Sequence, residues 1–155
     1  ALHVVRQVGE ALAYAHRQGM AHRDIRPEHV FFDAQGEVLL GGFGLAEIRR
    51  SIEQQQEDIG ETFPPDAPDA QQRDVRALGA MLYELLTGVP CTEERLALLK
   101  SPSARQAAQG RSSPRVPKKI RPVIVRAVDS NAADRFADAK EMVQALQAIG
   151  SRAGT

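Results

Sequence analysis

The residues with most chemical potential lie near the start of the chain: His22-Arg23-Asp24-Ile25-Arg26-Pro27-Glu28-His29 and, eighteen residues after Asp24, Gly42-Phe43-Gly44. A His-Arg-Asp triplet alone says little, because any charged triplet recurs by chance; its register with the downstream residues is the informative part. Gly41-Gly42-Phe43-Gly44 has the composition of a phosphate-cradling loop, but a turn leaving a strand is the simpler explanation. His3, His16, His22 and His29 lack zinc-ligand spacing, and His22 and His29 are better explained as loop-packing groups. The single cysteine, Cys91, excludes an internal disulfide and a cysteine-rich zinc site, so no metal site is expected. Arg111, Arg115, Lys118, Lys119, Arg121 and Arg126 form an acid-free basic stretch that could dock a phosphorylated or acidic partner and is more simply a solvated face.

The elements that must position these residues are set by periodicity. Leu2, Val5, Val8, Leu12 and Ala15 recur at helical steps, and Gly19 is placed to close that helix just before His22. Val30-Phe31-Phe32 and Val38-Leu39-Leu40 predict a hairpin around Asp33-Ala34-Gln35-Gly36. From Ile48 to Gln72 the chain turns polar and irregular, as a mobile loop would. Ala77, Leu78, Met81, Leu82, Leu85 and Leu86 make a broad apolar stripe on a helix after Asp74, which predicts a central element ended by Gly88 and Pro90. Glu93 to Leu99 predicts a short helix, and residues 100–117 a connector. Ile120, Val123, Ile124 and Ala127 give another face, with the helix starting close to Pro122. A last helix is opened by Asp138-Ala139-Lys140-Glu141 and buried through Met142, Leu146 and Ile149.

The register around the triplet resembles that of a bacterial-type Ser/Thr protein kinase. Arg26-Pro27-Glu28 stands where that family has K-P-E, and Phe43-Gly44-Leu45-Ala46 where it has F-G-x-A. Asp74-Val75-Arg76-Ala77-Leu78-Gly79 with Tyr83-Glu84-Leu85-Leu86-Thr87-Gly88 resembles D-x-x-x-L-G…Y-E-L-L-T-G, and Asn131 to Phe136 resembles the late D-P-x-x-R-F turn. These matches run through nearly the whole chain. The resemblance implies a mainly α (α+β) fold: a kinase-like C-terminal lobe over residues 1–150, helices around a central helix with a small β-hairpin, and a tail at 151–155. The family's N-lobe, with its glycine-rich loop and nucleotide Lys, is not in these residues.

The same resemblance separates chemistry from scaffold. Asp24 matches the catalytic base and Arg26 the Lys that touches the γ-phosphate, and Arg keeps the charge while changing its shape. His29 and Gly42 stand where the family has the magnesium-binding Asn and Asp; neither is an oxygen ligand, so the ATP and magnesium positions look degenerate. Phe31 matches the adenine floor, where the family prefers a smaller residue, with Met81 and Leu85 supporting it. The bracing column His22, Phe43 and Asp74 is kept, and its members are expected to be buried neighbours. The A-P-E motif is not cleanly present, so Asp66 or Asp69 would have to partner Arg135; Ser51 and Thr62 fall where phosphosites near Arg23 would lie.

The bulk properties limit partners. With 155 residues and 43% apolar composition the chain can bury one core, and 20 basic against 20 acidic residues leaves no global field toward nucleic acid. Its most apolar run, Ala77 to Leu86, holds Glu84 and is too short to insert in a membrane. A cytoplasmic location is expected, and Ala1, already inside a helical pattern, predicts that more protein precedes it. The resemblance thus implies a pseudokinase signalling or scaffold module with no cofactor of its own. It would bind protein partners, its own N-lobe or other domains of a longer chain. The alternative is a Ser/Thr kinase with weak or unconventional phosphotransfer once joined to its N-lobe.

Overall fold

Helix α1, Leu2–Arg17, buries Val5, Val8 and Leu12 completely, as their spacing requires. Ala1 provides no side-chain cap; the helix is held by this apolar face and by its C-terminal finish. There the N–H of Met20 donates to the carbonyl of Ala15 and that of Gly19 to His16, a Schellman closure with Gly19 at a φ of 76°. The chain is thereby turned at once into His22. The computed structural model describes residues 1–45, 69–101 and 116–151. Ser51, Thr62, Asp66, Arg111 and Arg115 lie outside the described residues, as do most of the expected polar loop and connector.

A 3-10 turn, Pro27–His29, leads into strand β1, Val30–Phe32, which pairs antiparallel with β2, Val38–Leu40, in the register Phe31 opposite Leu39. Asp33 shapes the turn between them, its carboxylate accepting the N–H groups of Gln35 and Glu37. Val30, Val38 and Leu40 pack toward the core and Phe31 and Leu39 face the open side, while Phe32, on the strand face of Val30, breaks the alternation and is also exposed.

Helix α2, Asp69–Thr87, is the central element: Val75, Leu78 and Leu82 are fully buried. It starts five residues before Asp74, because Ala70 to Arg73 are compatible with helix and Asp74 is an interior acid rather than a cap. Two positions depart from the stripe. Tyr83 is buried, whereas Leu85 is 41% exposed; periodicity assigns a side of the helix but not whether a neighbour reaches that level. Met81 keeps its expected burial.

Helices α3, Glu93–Lys100, α4, Arg121–Ala127, and α5, Ala139–Ser151, complete the described elements. Thr92 caps α3 through the N–H of Arg95, and Pro122 sits in the first turn of α4, where its missing N–H costs nothing. At α5, Asp138 accepts the N–H of Glu141, whose own carboxylate accepts the N–H of Ala137, one residue before the usual capping-box position. Helix α1 packs on α5 and α2, and α2 on α4. The α2–α4 approach is close: a Cβ on Gly79 would stand 2.5 Å from that of Ala127. A 3-10 turn at Ala132–Asp134 carries buried Phe136 under the Arg126 guanidinium, 4.2 Å from the ring centre.

Candidate functional site

Asp74 is the anchor. Its carboxylate is 1% exposed and accepts three hydrogen bonds: the backbone N–H of His22 at 2.7 Å, that of Arg23 at 2.7 Å, and the Nε2–H of His16 at 2.9 Å. A carboxylate so buried is tolerable only because its acceptor sites are filled by such donors. The clamp has a backbone consequence. Arg23 has a φ of 67°, the only positive value among described non-glycine residues, and such a conformation persists where its surroundings impose it.

His22, also fully enclosed, extends the brace. Its Nε2–H donates to the carbonyl of Gly41 at 2.7 Å and its Nδ1 accepts the N–H of Asp24. The Phe43 ring lies 4.5 Å from the His22 ring. The column therefore exists, but the expectation that all three members are buried needs correction: Phe43 is 40% exposed. Its ring packs on that of His22 in a tilted arrangement and is only partly covered.

Asp24 and Arg26 form a pair, with Nε and Nη2 of the guanidinium both 2.8 Å from one carboxylate oxygen. His29, which matches one of the family's metal-ligand positions, donates from Nδ1 to the backbone carbonyl of Asp24 at 2.7 Å. Gly42 adopts a φ of 88°, and a Cβ added there would lie 2.9 Å from Cγ and 3.0 Å from Nδ1 of His29. The two positions are thus in direct contact. Phe31 stands apart from this contact, 54% exposed on the open hairpin face, with its ring against the backbone of Gly41.

Could these residues hold magnesium? A hard dication wants oxygen ligands in octahedral geometry, whereas His29 offers nitrogen and Gly42 no side chain. No cluster of three or more His, Cys, Asp or Glu suited to a metal occurs among the described residues. The donor set does not fit the ion.

The structure places Asp24, Arg26, His29 and Gly42 beside one another, Arg26 on the Asp24 carboxylate and His29 on the Asp24 carbonyl and Gly42; the sequence did not single out His16 as a partner of this loop. The signal was available: His16 follows Leu12 by four residues and so continues the buried face of α1, where a polar side chain needs a partner. Asp69, considered as a partner for Arg135, enters as the first backbone residue of α2.

A loop held on a central-helix carboxylate, a hairpin and a Phe-Gly turn packed on the loop's histidine define a kinase-type C-terminal lobe. The protein kinase domain family model matches residues 1–146, and the chain belongs to the protein kinase family. The Ser/Thr kinase PrkC of Bacillus subtilis is 29% identical over 92% of this chain and 24% of its own length. PknL of Mycobacterium tuberculosis is 35% identical over 94% of this chain and 39% of its length. A crystal structure of the Mycobacterium tuberculosis PknI kinase domain is similar with a TM-score of 0.61 and 25% identity, covering 96% of this chain and 54% of that one. The chain therefore spans well under half the length of these two curated relatives. No helix among the described residues is long and apolar enough to cross a membrane.

Proposed function

We propose that this chain is a pseudokinase module, a kinase-family lobe that binds protein partners in a signalling assembly and does not turn over ATP. The observation that carries this reading is that His29 and Gly42, which lie against each other, offer no side-chain oxygen at either position matching the family's metal ligands. In the family, phosphoryl transfer depends on metal ions that neutralise the phosphates, so a catalytic Asp without them is insufficient. Asp24 and Arg26 keep their places as a base and a phosphate-facing cation, and their mutual ion pair is compatible with a resting, non-productive site. Protein binding is supported by the apolar groups left open on one side of the hairpin, Phe31 and Leu39, together with exposed Phe43. The N-lobe or another domain of a longer protein is a natural occupant. A cytoplasmic location goes with this role and with a single thiol.

A second reading is weak ATP-dependent phosphotransfer when the lobe is joined to an N-lobe. One observation favours it: the Asp74 clamp holds the loop carrying Asp24 in an organised form. An assay with radiolabelled ATP and casein, run on the chain alone and on the chain joined behind the PknL N-lobe, decides between them: the joined protein is expected to show no Asp24-dependent transfer, and such transfer would establish the second reading. The purified chain, and the His29→Asn/Gly42→Asp variant, are expected to transfer no γ-phosphate above an Asp24→Ala control. Transfer by the unmodified chain that vanishes in Asp24→Ala would overturn the pseudokinase reading.

A further inference from the structure

We propose that His29 and Gly42 form one occlusion unit, in which the imidazole fills the space that a side chain at position 42 and a divalent cation would otherwise share. The proposal rests on the pseudokinase reading and deepens it. Loss of ligands alone would leave an open hole that a neighbouring oxygen or water could help fill. Occlusion closes it sterically.

Three observations meet at this contact. The nearest atoms to a Cβ on Gly42 would be Cγ, Nδ1 and Cδ2 of His29, at 2.9, 3.0 and 3.2 Å, so the face of the ring lies on the glycine. Real side chains do not approach that closely, and a ring cannot yield as the tip of a flexible chain would. The ring is also tethered. Its Nδ1–H is committed to the Asp24 carbonyl, with the Asp24 Oδ2 at 3.9 Å and the His22 ring 5.7 Å away, and the side chain is only 16% exposed. Finally, the φ of 88° at Gly42 suits glycine and strains other residues, so the backbone is already set for the absence of a side chain. The residue types at 29 and 42 are therefore coupled: a ring at one demands nothing at the other. An Asp restored at 42 would have to displace the imidazole before it could meet a cation.

A double-mutant cycle reads the coupling, because the strain of a non-glycine φ is common to both backgrounds and cancels. Gly42→Ala is expected to lower the thermal midpoint in the unmodified chain, and by at least about 2 °C less in His29→Ala. Equal losses in the two backgrounds would overturn the coupling. Occlusion itself is read by titrating Mn²⁺ into Gly42→Asp and Gly42→Asp/His29→Ala, neither of which gains an oxygen ligand at position 29. The second is expected to bind at least about tenfold more tightly. Equal affinity, including no binding by either, would overturn occlusion while leaving the pseudokinase reading intact. That reading fails separately, on phosphotransfer by the unmodified chain.

Discussion

The carboxylate of Asp74 accepts the N–H of Arg23 at 2.7 Å and thereby fixes a left-handed residue, φ 67°, two positions into the loop that carries Asp24. Because His22 N–H and His16 Nε2–H converge on the same group, one side chain of the central helix sets the path of the loop. That arrangement keeps the path of the loop independent of the residue types at positions 29 and 42. The frame is anchored at Asp74, and the proposed loss of the metal site concerns positions 29 and 42, which carry none of these hydrogen bonds.

Removing the anchor should be costly. Asp74→Ala leaves three donors, two of them buried, without an acceptor, and a destabilisation of about 3–5 kcal/mol is expected. His16→Ala, which leaves both backbone N–H bonds in place, should cost about 1–2 kcal/mol. The two share a partner, so the double variant should lose less than the sum. Urea denaturation midpoints check this, and full additivity would show that His16 does not act through Asp74.

Phe43→Ala tests the open end of the column. A fully buried Phe truncated to Ala costs about 3–5 kcal/mol, and a ring left 40% exposed should cost less, about 1–2 kcal/mol. A loss as large as that of a core residue in the same denaturation experiment would mean that something covers Phe43 in solution.

Cys91 offers a pH test. Burial first, then the nearby Glu84 carboxylate, pushes its thiol up to about 11 from an ordinary 9.0. The protonated form is thus favoured in the folded chain, and the stability this gives is full below pH 9.0 and lost as pH rises through about 11. At pH 8 the thiolate fraction should be about a hundredfold below that of an unperturbed thiol, and alkylation by iodoacetamide correspondingly slow. Alkylation as fast as that of the urea-unfolded chain would contradict it.

Local pattern made much of this fold legible. The strands Val30–Phe32 and Val38–Leu40 fall where apolar β-formers flank a turn sequence, and Gly19 ends α1 where its Schellman geometry requires. What eluded the sequence depends on three-dimensional cover or on partners distant along the chain. Leu85 has the azimuth of a core residue without a neighbour over it, and Tyr83 is buried from another side. His16 finds its partner 58 residues away. At the site, the identities of His29 and Gly42 showed that neither side chain offers an oxygen, but not that the ring of one lies on the backbone of the other. Contact between positions thirteen apart depends on how the hairpin returns the chain.

The most direct test of a kept frame with a lost metal site is the thermal midpoint of the unmodified chain with ATP, with magnesium, and with both. The midpoint is predicted to be the same with ATP whether or not magnesium is present, since positions 29 and 42 give the ion no oxygen ligand. A rise of several degrees that requires ATP and magnesium together would contradict the loss of the metal site.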